Sequence, residues 1–165
     1  MGIGISLGLQ IYTRDGVFFS GDAGLKALLA QQLSTGQWRM ALDIPQPPWV
    51  MTLWQQGLYP FTPPYVYLQQ GNYFITFPFT FPAITAPFYA LAGYHGLYVV
   101  PLVSLWVVWG RVWQVCRVWQ VPSRMTALSL ALVILASPLT LYGAMYWGHT
   151  LAVALAFWGL SGLIL

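Results

Sequence analysis

An all-α, multi-span integral membrane protein is what this chain predicts, and three observations carry that reading. Charged residues make up 5% of the chain and hydrophobic residues 58%, where about a quarter charged is usual for a water-soluble domain. So few charges cannot cover a water-facing surface, and lipid has to solvate much of the outside. Residues 97–109 and 125–165 carry no charge apart from His149. Between them lies the stretch 110–124, GRVWQVCRVWQVPSR, which holds Arg111, Arg117 and Arg124 and no acid. A basic turn between two apolar segments reads as cytoplasmic, by the excess of Lys and Arg on that side. The polar residues elsewhere then face the opposite, extracytoplasmic side of a plasma or inner membrane.

Taken in order, residues 1–13, MGIGISLGLQIYT, are apolar and precede the first charge. As a helix they span about 20 Å, short of the ~30 Å hydrocarbon core, so they are expected to be the end of a longer transmembrane helix. Residues 14–96 form an extracytoplasmic or interfacial loop region. All 3 acids fall at its start, Asp15, Asp22 and Asp43, together with Arg14, Lys26 and Arg39. Within it SGDAGLKALLAQQL predicts a short amphipathic helix, because Leu25, Leu28, Leu29 and Leu33 recur at helical spacing. Asp22 stands at its first turn, four residues before Lys26. Such a helix suits the membrane interface.

From 44 to 92 come nine of the 12 prolines, interleaved with aromatics. Proline removes a backbone donor and breaks helices, while Trp and Tyr suit the headgroup level. The run 74–92 therefore reads as a broken or re-entrant segment. No strand is predicted. Membrane helices are expected at about 97–115, 125–147 and 150–165, with Pro138 as a kink in the second and Thr150 as a cap for the third. Arg111 is expected to snorkel outward from the first. The chain reads as cut at both ends.

Cys116 stands alone, so an intrachain disulfide is excluded, and no metal-type Cys/His spacing exists. Basic clusters that track a phosphate backbone are absent outside the Arg stretch, which argues against nucleic acid as a partner. No Gly-rich phosphate loop and no local triad signature is found. The outer side receives Asp15, Asp22, Asp43, His95 and His149.

The order of segments resembles the N-terminal portion of polytopic GT-C superfamily glycosyltransferases, the mannosyltransferase-like enzymes that use dolichyl- or polyprenyl-phosphate sugars. GDAGLKALL at 21–29, YPFTPPYVY at 59–67, the FP-rich run 77–88, GLYVVPL at 96–102 and MYWGHTLAVALAF at 145–157 carry the likeness. In that superfamily a long first extracytoplasmic loop bears an acid near its start, the position Asp22 occupies. The resemblance implies Asp22 as the general base toward an acceptor hydroxyl, or as a ligand for a divalent cation beside the lipid phosphate. Lys26, Arg39 and His149 are the expected substrate-binding groups. The implied partners are the lipid bilayer and a polyprenyl-phosphate-linked sugar. Such enzymes often carry an acid in the second outward loop too, and Tyr146-Trp147-Gly148-His149 has none.

Plain structural roles stand beside each of these. Asp22 also fits a helix cap, His149 an interfacial hydrogen-bonding residue, His95 a turn residue, and Lys26 and Arg39 headgroup contacts. The competing function is a non-enzymatic membrane protein, a scaffold, assembly subunit or piece of a transporter.

Overall fold

The computed structural model describes residues 2–12, 18, 21–44, 48–56 and 63–163. The chain is predominantly helical, with nine helices and three short strands among the described residues. It divides into two compact units, one of residues 18–96 and one of residues 1–17 with 97–165.

The first of these units is built on α2 (Gly21–Ser34), which forms where the leucine spacing predicts it. Leu25, Leu29 and Leu33 enter a core with Leu42, Ile44, Val66 and Ala86. Ala23, Ala27 and Ala30 are buried as well. The helix is thus enclosed on more than one side, not laid flat with one open face. Its principal partner is α4 (Thr80–Ala92). The helix α3 (Pro48–Gln55) opens on a proline, where the missing N–H costs no helical bond.

Three strands correct the expectation of none. β1 (Ala41–Leu42), β2 (Val66–Gln69) and β3 (Asn72–Ile75) form an antiparallel sheet in the order β1-β3-β2. Gln69 pairs with Asn72 across a two-residue turn, with φ of 51° at Gln70 and 78° at Gly71. Positive φ at both central residues matches the right-handed twist of a tight hairpin. The alternation Leu42, Val66, Tyr73 and Ile75 turns one face of the sheet onto α2. The segment read as re-entrant, 74–92, is therefore the end of β3, a bend at 76–79 and the whole of α4. Pro87 lies inside α4, and the helix ends at Gly93, whose N–H donates to the Tyr89 carbonyl at 2.8 Å.

The other unit is organised on α6 (Val99–Val118). With the short α5 (Tyr94–Leu97) it makes a run of 25 residues, Tyr94–Val118, long and apolar enough to cross a membrane. It is the one such run among the described residues; α1 (Gly2–Tyr12), α7 (Ser123–Leu135) and α9 (His149–Gly162) are shorter apolar helices. α6 extends through Arg111 and Arg117, so the basic stretch is mostly helix and only 119–122 is turn. That turn is a Schellman closure: Val121 N–H donates to the Cys116 carbonyl at 2.9 Å and Gln120 N–H to Arg117 at 3.1 Å.

The second expected span, 125–147, is interrupted. After α7 the chain bends at Ser137-Pro138 and resumes as α8 (Leu139–Gly143). Pro138 has no N–H to offer the carbonyl four residues back, that of Ile134. The Thr140 hydroxyl donates to it instead at 2.6 Å, and Ser137 Oγ accepts Leu139 N–H at 3.2 Å. α8 lies so close to α6 that a Cβ at Gly143 would stand 2.5 Å from Leu105 Cδ2. Ser6 of α1 accepts a bond from Trp106 Nε1 at 3.1 Å. Close approach at Gly143 and an interhelical hydroxyl bond at Ser6 thus hold α8 and α1 against α6. Leu128, Leu132 and Leu135 of α7, and Leu155 and Leu160 of α9, lie exposed.

Candidate functional site

The residues singled out from the sequence fall in three places. Asp22 stands in the first turn of α2, where the helix dipole favours a negative charge. Lys26 Nζ donates to Asp22 Oδ2 at 2.8 Å, and the two side chains are 12% and 23% exposed. The ammonium also lies over the Phe77 ring, 4.6 Å from its centroid. A cation between a carboxylate and an aromatic face is held in a defined place, partly out of water. In the same unit, Tyr89 and Tyr94 meet edge-on at 5.6 Å. Burial, then the neighbouring Tyr94, raise the Tyr89 hydroxyl above the ordinary tyrosine value.

Arg39 is not brought to this pair. Its carbonyl accepts from Gln32 Nε2 at 3.3 Å, which sets its backbone roughly 15 Å along α2 from Asp22. Its guanidinium pairs with Asp43 and with Gln37 Oε1, in the open. His149 belongs to the other unit and begins α9. It is exposed, and its ring lies 5.4 Å from Tyr142 and 5.1 Å from Trp147. His95 is exposed in α5. Arg14 and Asp15 lie outside the described residues. Among those described, no three His, Cys, Asp or Glu side chains come together in a way that could hold a metal ion, so a divalent cation at Asp22 would need ligands from elsewhere.

No known protein family, curated protein or solved structure matches the chain.

Two further side chains hold decisive positions, Gln32, which the sequence did not single out, and Arg111, which it placed differently. Gln32 is buried, and its amide bridges α2 to β1 through bonds to Ala41, Arg39 and Asp43. Arg111 is 7% exposed and does not snorkel. Its Nε donates to Ser161 Oγ at 2.7 Å, its Nη1 to Gln114 Oε1 at 2.7 Å, and its Cζ sits 4.6 Å over the Trp158 ring. A signal for this was present. Val100, Ser104, Val108 and Arg111 fall on one helical face, and all four are buried.

Chemically, the Asp22–Lys26 pair offers a proton acceptor and a fixed positive charge side by side. That combination serves a hydroxyl that must lose a proton beside a phosphate that must be neutralised. The rings of Tyr142, Trp147 and His149 pack against one another at tilted angles.

Proposed function

We propose that this chain is a multi-span membrane protein acting in glycosyl transfer from a polyprenyl-phosphate sugar to an acceptor on the extracytoplasmic face. The observation that carries the reading is the Asp22–Lys26 pair, withdrawn from water at the first turn of a packed helix. The acceptor hydroxyl oxygen attacks the anomeric carbon, and the bond from that carbon to the phosphate oxygen breaks. The bonding electrons leave with the lipid phosphate, and the hydroxyl proton passes to Asp22. Lys26 offsets the growing charge on the phosphate as a point charge. Membrane residence is supported by the 25-residue apolar helix and by the exposed leucines of α7 and α9. Orientation follows from Arg111, Arg117 and Arg124, dense and without an acid among them.

A second reading is favoured by one specific observation. Asp22 already engages Lys26, and Asp43, the other acid among the described residues, is paired with Arg39. On that view the ion pair holds the start of α2, and the chain is a membrane scaffold or assembly subunit without chemistry of its own.

The two readings separate in an assay of sugar release from radiolabelled polyprenyl-phosphate hexoses, with the protein in its native membrane. Under the first, Asp22→Asn lowers kcat/KM by about 10²–10⁴-fold, the range for a lost general base, and Lys26→Gln acts mainly on KM. Helix content stays unchanged in both variants. Turnover that survives Asp22→Asn at more than half the wild-type rate would favour the second.

A further inference from the structure

Arg111 is a charge that the transfer chemistry does not use. A guanidinium withdrawn from water requires a counter-ion or full hydrogen bonding, and otherwise destabilises its surroundings. Its two hydrogen-bond partners, Ser161 and Gln114, are neutral. The face of Trp158 and the C-terminal end of α9 offset the charge only in part. The sequence supplies no acid after Asp43. Of the five guanidinium donors, Nε and one N–H of Nη1 are engaged, and Nη2 has no hydrogen-bond partner among the described residues. The Gly162 backbone lies beside Nη2, and an added Cβ would meet it at 3.7 Å, in ordinary van der Waals contact. Arg117 and Arg124 are exposed near the same end of this unit, with Trp113 and Trp119.

We propose that Arg111 is an anion site, in which Nη2 and the remaining N–H of Nη1 hold two oxygens of a phosphate group. A planar fork of donors matches a phosphate as it matches a carboxylate. The tryptophans beside it are at home at the headgroup level of a bilayer, so the occupant is the phosphate of an anionic lipid. Arg117 and Arg124 raise its local concentration, and Arg111 alone makes the oriented contact. The proposal rests on the membrane placement of α6 and not on the transfer reaction. Loss of turnover in Asp22→Asn leaves it untouched, and a protein without transferase activity can still show it.

The test is native mass spectrometry of the full chain released from nonionic micelles. The micelles carry equal amounts of dioleoyl phosphatidylglycerol, dioleoyl phosphatidylcholine and dioleoylglycerol. Phosphatidylglycerol should remain bound to the wild type in preference to the other two. Arg111→Gln should lower its occupancy about tenfold, the loss of a charge-assisted contact, and Arg117→Gln less than about threefold. Gly162→Leu keeps the guanidinium and its partners but shades Nη2. It should also lower occupancy, and it decides the matter if Arg111→Gln does not fold. A parallel arm follows the thermal midpoint in millimolar inorganic phosphate. A rise lost in Arg111→Gln, without lipid preference, keeps the phosphate site and assigns it to the free ion. Equal retention of all three lipids with no response to phosphate overturns the proposal. So does an equal loss in Arg111→Gln and Arg117→Gln, which would mark general charge attraction.

Discussion

Replacing Gln32 tests how the sheet is attached to α2. The residue is buried, 7% exposed, and both ends of its amide are used. Nε2 donates to the Ala41 carbonyl at 2.8 Å and more weakly to Arg39 at 3.3 Å, while Oε1 accepts the Asp43 N–H at 2.9 Å. β1 lies at the edge of the sheet, and an edge strand presents unpaired backbone groups. The Gln32 amide serves as a one-residue substitute for the missing strand. Gln32→Leu keeps the volume and the helix propensity but leaves one part-buried acceptor, the Ala41 carbonyl, and one part-buried donor, the Asp43 N–H, without their partner. Water reaches both in part, so each costs toward the lower end of the about 1–3 kcal/mol for an unsatisfied group, and the loss comes to about 1–2 kcal/mol. Chemical denaturation followed by circular dichroism measures it, and hydrogen exchange at the Asp43 amide locates it. Gln32→Glu should be at least as damaging at neutral pH, because its carboxylate turns an oxygen toward the Ala41 carbonyl. It should recover in part in acid, where protonation returns one donor. A cost for Gln32→Leu below about 0.5 kcal/mol, with Asp43 still protected from exchange, refutes the bridging role.

Three other outcomes follow from single positions. Gln120 holds φ of 55° in the turn after α6, a conformation that costs an L-residue about 1 kcal/mol, so Gln120→Gly should stabilise by roughly that amount in thermal unfolding. Thr140→Val removes the 2.6 Å bond to the Ile134 carbonyl and should cost about 1–2 kcal/mol. In a Pro138→Ala background the restored N–H can reach that carbonyl, and the cost should shrink to less than half; a double-mutant cycle without coupling would contradict the rescue. The raised pKa of Tyr89 has a definite sign: the folded chain holds the phenol proton more tightly than the unfolded one. That contribution is present below pH about 10, the ordinary tyrosine value, and is lost as pH rises through the folded value. The difference in thermal midpoint between wild type and Tyr89→Phe should therefore change above that pH and stay flat below it.

Much of the helical part was legible. The leucine spacing in 20–33 placed α2 because an amphipathic period survives whatever the helix packs on. The Asp22–Lys26 pair followed from an i, i+4 spacing. Burial on the second side of α2 was harder to read, since alanines at 23, 27 and 30 look neutral in a pattern built on leucine. The hairpin was hidden by proline and aromatic density around it. Its own signal was short, a polar Gln69-Gln70-Gly71-Asn72 between the apolar runs of β2 and β3. Pro138 predicts a kink, but the depth of the break depends on Thr140, a contact that spacing does not reveal. Arg111 departs from its expected place for a different reason. Snorkelling is the usual fate of an arginine at the end of an apolar helix, and only the stripe through Val100, Ser104 and Val108 indicates that this one faces inward. Of the candidate site, the sequence placed Asp22 and Lys26 together. The separation of Arg39 from them depends on the turn after α2 and on the Gln32 bridge.

The claim that this chain takes part in sugar transfer is tested most directly by one product. Protein reconstituted into liposomes with a polyprenyl-phosphate hexose and a hydroxyl-bearing acceptor should release free polyprenyl phosphate. Release should match the sugar gained by the acceptor one for one, and it should disappear in Asp22→Asn. Folded wild-type protein that yields no free polyprenyl phosphate with any of several hexoses and acceptors would contradict the account and leave the scaffold reading in its place.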